Sequence, residues 1–156
     1  MTQYGSGIRY GGSQFGEWQW EHSIDDIGQA MVTMLARVQG IENTLDHDPT
    51  TAEIASVRLP VTAVTYKGFH LDKQGIQHEW LVPVFFDASP ERAETTEKKI
   101  KEVATGIFNA FMSDQALGGT CVNAFPVEGK TDYLTKGRKL LFSVLLLTVE
   151  TLVVRR

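Results

Sequence analysis

The chain has 156 residues and a mass of 17.4 kDa, enough for one domain that buries roughly 68–70% of its unfolded surface without covalent staples. Hydrophobic residues make up 42% and charged residues 22%, which excludes a wholly disordered chain. The net charge of −4 argues against a protein whose main task is to coat nucleic acid, and a single cysteine excludes an internal disulfide and a cysteine-built zinc site.

Residues 1–22 stand apart. They hold Gly5, Gly7, Gly11, Gly12 and Gly16 together with Tyr4, Tyr10, Phe15, Trp18 and Trp20. Glycine loosens a backbone while aromatic rings favour burial, so this composition describes an extended arm with adhesive anchors. It either folds back on its own domain or reaches another subunit. The opening MTQYGSGIRYGG has no apolar run, which is not the pattern of a secretory leader.

Ser23 to Gly40 reads as a helix. Ser23 is a suitable N-cap, Asp25 and Asp26 sit where the helix dipole favours acid, and Ile24, Ile27, Met31, Leu35 and Val38 recur on one face. Residues 42–52 are polar and read as a loop. The β-branched residues between 53 and 69 predict strand. Pro60 makes that run an edge strand, or breaks it into a short strand and a longer one. Asp72 to Gly75 is a turn, and Ile76 to Phe86 is the returning strand of a hairpin, with Trp80, Val82, Val84 and Phe86 on one face.

Ser89-Pro90-Glu91 opens a second, long helix, with Ser89 as cap and Pro90 in the first turn. Glu94 with Lys98 and Glu97 with Lys101 are paired four residues apart. The helix ends before Gly118-Gly119. Thr120 to Val127 predicts a short strand, residues 128–137 a polar loop, and Arg138 to Arg156 a long final strand. That strand is apolar on both faces up to Leu147, as a strand covered on both sides would be. It is too interrupted by Ser143, Thr148 and Glu150 to read as a membrane span. The expected fold is α+β: a mostly antiparallel sheet of about four strands with two helices on one face. Residues 1–22 form the arm and 23–156 one domain.

Motifs for catalysis are missing from the sequence. It has no phosphate-binding glycine loop, no GxSxG elbow and no HExxH, so neither catalytic residues, cofactor nor metal is expected. His70 and His78 flank the hairpin turn and are read as solvated polar residues rather than ligands. Cys121 is read as a structural thiol, and Asp46 with Asp48 as a solvated loop pair. What remains is a scaffold with two unusual ends, so the candidate contacts with other subunits or partners are Tyr4, Tyr10, Phe15, Trp18, Trp20, Arg155 and Arg156.

The stretch FMSDQALGGTCVNAFPVEG and the closing strand GRKLLFSVLLLTVETLVVRR resemble the tail terminator, or tail-completion, proteins of long-tailed bacteriophages. In that family a long helix runs into a Leu-Gly-Gly corner, a short strand and loop follow, and a last strand closes the sheet. The first helix and the hairpin with VPVFFD also match in position, so the likeness covers about residues 23–156. The resemblance implies a non-enzymatic virion protein, assembled in the host cytoplasm. It implies a ring of six subunits that caps the tail tube protein, joins the head-tail connector protein and lets DNA pass through its lumen without specific binding. A head-completion or neck protein follows the same logic with a different partner. A small ligand-binding domain or enzyme is the remaining alternative.

Overall fold

The computed structural model describes residues 20–71 and 73–154, with side chains from residue 24 onward. Helix α1 (Trp20–Leu35) leads through tightening turns to β1 (Asn43–Leu45). Helix α2 (Thr51–Ser56), β2 (Val61–Ala63), β3 (Thr65–Leu71) and β4 (Gly75–Asp87) follow. A 3₁₀ turn (Pro90–Arg92) enters α3 (Ala93–Ser113), and a second one (Leu117–Gly119) precedes β5 (Asn123–Lys136) and β6 (Lys139–Val154).

The strands form one six-stranded sheet in the order β1-β2-β4-β6-β5, with β3 also on β4. All pairings are antiparallel except β1 with β2. The fold is α+β as expected, but with six strands rather than about four. The difference has two sources. Residues 42–52 are not all loop: Asn43–Leu45 pairs in parallel with Val61–Ala63. A parallel neighbour requires a crossover, and α2, in a segment expected to be loop and strand, supplies it. The break in the following run falls at Val64, between β2 and β3, and Pro60 stands before β2.

Helix α2 is only six residues long and needs help to form. Thr50 accepts from the Glu53 amide at 3.1 Å while the Glu53 carboxylate accepts from the Thr50 amide at 3.1 Å, a reciprocal capping box.

The main core lies between the sheet and α1 with α3. Ile27, Met31, Leu35 and Val38 from the first helix and its turn, and Val103, Ile107 and Phe111 from α3, pack on Trp80, Val82, Val84 and Phe86 of β4 and Leu145, Leu147 and Val149 of β6. The period of the helical residues is near 3.6 and that of the strand residues is 2, so each element offers one apolar face. Glycine sets the spacing at two points. A Cβ on Gly28 would stand 3.3 Å from the Trp80 ring, and one on Gly106 would stand 3.0 Å from Val38 Cγ1.

A second cluster sits on the opposite face. Ile54 of α2 packs with Val61, Phe85, Phe142 and Val144, and the rings of Phe85 and Phe142 meet edge-on with centroids 6.3 Å apart. The two long helices share one face as expected, and the unforeseen α2 covers part of the other. This accounts for the apolar character of both faces of β6 near its start. The stretch Leu140–Val154 lies in this strand, and no helix among the described residues is long and apolar enough to cross a membrane.

Helix boundaries also depart from expectation. α1 already includes Ser23, so that residue is inside the helix and not its cap. Ser89 makes no cap bond to the first turn after it. Its amide instead donates to Asp87 Oδ1 at 2.8 Å. Glu97 and Lys101 do pair, at 3.2 Å, whereas Glu94 and Lys98 are not within ion-pair distance.

Two substitutions test this packing. Ile107→Ala removes a fully buried side chain and is expected to lower unfolding free energy by about 2–5 kcal/mol in urea titration. Gly75→Ala would drive a Cβ into the Val153 carbonyl oxygen. Because backbone must move, a loss of about 1–3 kcal/mol is expected by the same measurement.

Candidate interaction surface

Of the residues singled out in the sequence, Tyr4, Tyr10, Phe15, Trp18, Arg155 and Arg156 lie outside the described residues. Trp20 opens α1, and its side chain is likewise outside them. The surface that the described residues present was largely missed by sequence reading, and its centre is the β5–β6 hairpin.

β5 was expected to end near Val127 and give way to a loop. It instead runs 14 residues, to Lys136, paired along its length with β6. Charged residues at Glu128, Lys130 and Asp132 alternate with Gly129, Thr131 and Tyr133, so the segment reads as polar throughout although its period is that of a strand. The turn is Gly137-Arg138, between the paired Lys136 and Lys139. Gly137 has φ 63°, the conformation that the first position of a type II′ hairpin turn requires. A glycine inside Lys-Gly-Arg-Lys was the signal available.

β5 is a sheet edge, and residues 127–133 are exposed on both faces. A bulge at Val127 and Pro126 interrupts the ladder near its start, features that blunt indiscriminate edge pairing. Further along, Tyr133 is 63% and Leu140 41% exposed. They border a crevice of about 550 Å³ between the start of α3 and the hairpin, floored by Ile100 and Ser143.

Exposed charges of opposite sign gather at the hairpin tip and in the segment after β1. At the hairpin tip Lys136, Arg138 and Lys139 are exposed, and none has an ion-pair partner among the described residues. At the other edge, Asp46 and Asp48 follow β1, and Glu53 lies in α2. His47 bridges two of these acids, with Nδ1 3.0 Å from Asp46 and Nε2 2.7 Å from Glu53. The hydrogen bonds to Asp46 and then Glu53 raise the His47 pKa, and those from His47 lower both carboxyls. Asp46 with Asp48 was read as a plain solvated pair. The structure makes Asp46 part of a clamp on α2.

His70 is exposed, as expected of a solvated hairpin residue, whereas His78, read the same way, is buried. His70 pairs with Gln77 and His78 with Phe69. Adjacent strand positions face opposite sides, so the two histidines cannot share a ligand. No group of three or more metal-ligating side chains occurs among the described residues. Cys121 precedes β5 and does not lie in a strand. Burial pushes its thiol up to about 11, and its Sγ donates to the Gln115 carbonyl at 3.8 Å, so it is held protonated and is a poor nucleophile. Between α1 and α3 runs an open groove of about 750 Å³ with Ala30, Met34 and Leu117 among its walls.

No protein-family model matches the chain, and no curated protein matches it.

His78 gives the fold a measurable pH dependence. It is 1% exposed on the face that carries the main core, and its Nδ1 is hydrogen-bonded to the Tyr66 hydroxyl at 2.8 Å. Burial lowers its pKa from the ordinary 6.5. The unfolded chain therefore binds a proton more readily than the folded one. The contribution is complete above about pH 6.5 and is lost as pH falls below it towards the depressed folded value. Between pH 7.5 and 5.5 the urea midpoint of the native chain should fall more steeply than that of His78→Gln. Equal slopes would show that His78 is not the group responsible.

Proposed function

We propose that this chain is a structural protein of a long-tailed bacteriophage that caps the tail tube as a ring and joins it to the head connector. The observation that carries the proposal is the long edge of β5, which no other strand among the described residues covers, on a sheet whose other edge, at β1 and β3, is likewise unpaired among them. A subunit with two unlike open edges is suited to heterologous contact with copies of itself, and such contacts close into a ring when the rotation permits.

The segments that carry the family resemblance support the same reading. FMSDQALGGTCVNAFPVEG runs from the last turn of α3 through a corner and into β5. Gly118 and Gly119 adopt φ 67° and 91° at that corner, a backbone region that other residues enter at a cost. The corner leads into β5, which runs back along β6, so the motif sets the start of the exposed hairpin.

In the ring reading the partners are five further copies, the tail tube protein and the head-tail connector protein, with DNA passing through the lumen. The acidic balance of the chain, −4 overall, favours passage of a polyanion without adhesion.

Electron microscopy of a lysate in which the gene carries an early stop codon tests this directly. Filled heads beside tail tubes of excessive and uneven length are expected. Tails of normal length that fail to join heads would move the protein to the neck, and intact particles would remove it from the virion joint altogether.

A further inference from the structure

We infer that the basic tip of the β5–β6 hairpin docks on the acidic segment between β1 and α2 of a second copy of this chain. The inference rests on the ring reading and specifies its contact. Lys136, Arg138 and Lys139 stand at the tip of the hairpin that forms one edge of the sheet, without an ion-pair partner among the described residues, and Asp46 and Asp48 follow β1 at the other edge, with Glu53 beside them on α2. With the order β1-β2-β4-β6-β5, four strand spacings separate the edges, roughly 19 Å. One copy offers both halves of a complementary contact, and within it they form no ion pair with each other among the described residues. A second copy supplies the missing partner.

The two halves are unlike, so the contact is heterologous. Each copy uses its tip on one neighbour and its acidic segment on the other, and repetition gives a ring or a filament, not an isolated pair. The competing demands on these charges are small. Glu42 lies 3.7 Å from Arg58, and Asp48 has no ion-pair partner among the described residues. His47 neutralises part of the acidic set but leaves three carboxylates against one imidazole. Beside the tip, Tyr133 and Leu140 provide exposed apolar area. Aromatic and aliphatic side chains at the centre of a contact supply affinity, while charges at its rim set partner choice and rate. Basic residues such as these also attract nucleic-acid phosphates. The neighbour is favoured because the matching acidic surface is present on the same chain.

Sedimentation velocity of the full chain in low salt, with three charge-reversed variants, decides the matter. One carries Lys136→Glu, Arg138→Glu and Lys139→Glu, one carries Asp46→Lys and Asp48→Lys, and one carries all five. The native chain is expected to assemble. Each partial reversal should weaken association at least about tenfold, and an equimolar mixture of the two should regain it, as should the five-fold variant. Raising salt to 0.5 M should weaken the native assembly, because exposed charges are screened. Recovery in the mixture cannot arise from misfolded partners.

Native assembly that the tip reversal leaves intact overturns this contact and leaves the ring standing. So does a tip reversal that abolishes binding to a DNA duplex in fluorescence anisotropy without changing assembly. A native chain that stays monomeric at every concentration and also fails to bind purified tail tubes overturns the ring, and the contact with it.

Discussion

The ladder between β4 and β6 is the interaction on which the rest of the structure depends. It runs unbroken from Gly75 opposite Val154 to Asp87 opposite Phe142 and joins segments separated by all of α3 and β5. Of the other strands, β2 and β3 attach to β4 and β5 to β6, and only β1 is one step removed, paired with β2. Both core clusters are built on their side chains. Trp80, Val82, Val84 and Phe86 with Leu145, Leu147 and Val149 serve one face, and Phe85 with Phe142 and Val144 the other. Closing so long a loop costs chain entropy before any contact forms. The cost is offset because one pairing event brings apolar side chains together on both faces, and each fully buried aliphatic contributes roughly 1.5–3 kcal/mol.

Coverage of the sheet is unequal, and that inequality separates structural from interacting surface. α1 and α3 shield the centre of one face. α2 shields the start of β6 on the other, but no helix follows it towards Gln77, Glu79 and Glu150. There the apolar pattern gives way to polar contacts, including Gln77 Nε2 donating to Glu150 at 2.6 Å and Lys67 3.6 Å from Glu79. Only the start of β5 enters the core, at Ala124, and residues 127–133 are exposed, so they gain little from it and are available for contacts outside the subunit. A hairpin held on one side by β6 and open on the other is stiff enough to present a fixed set of side chains, which lowers the ordering cost of binding.

Within the site, charge and local order are coupled. The His47 bridge and the Thr50–Glu53 capping box both converge on Glu53, so the carboxylate that completes the cap of α2 also takes part in the acidic segment. A partner that approached Glu53 would therefore act on the helix that seals the second cluster. Cys121 and His78 show the opposite arrangement. Burial shifts both towards their neutral forms, raising the Cys121 thiol to about 11 and lowering His78.

The sequence by itself determined α1, the β3–β4 hairpin, α3 and β6, because each carries an apolar period strong enough to imply its own geometry. Ile27, Met31 and Leu35 repeat as a helix does, and Trp80 to Phe86 as a strand does. The glycine corner at 118–119 was legible for the same reason: the residue type states the backbone conformation. Tertiary structure alone decided β1, the length of β5 and the placement of α2. Asn43–Leu45 is a strand only because Val61–Ala63 lies beside it, and three residues carry no period. Residues 128–136 bury almost nothing, so no hydrophobic pattern could mark them, and their strand exists because β6 supplies a template. α2 was signalled by Thr50-x-x-Glu53, but its face became apolar surface to be covered only once Phe85 and Phe142 met beneath it. The separation of charge between the hairpin tip and the β1 edge was invisible for the same physical reason. Strand order sets which residues share an edge, and strand order is a property of long-range pairing rather than of any local run of residues.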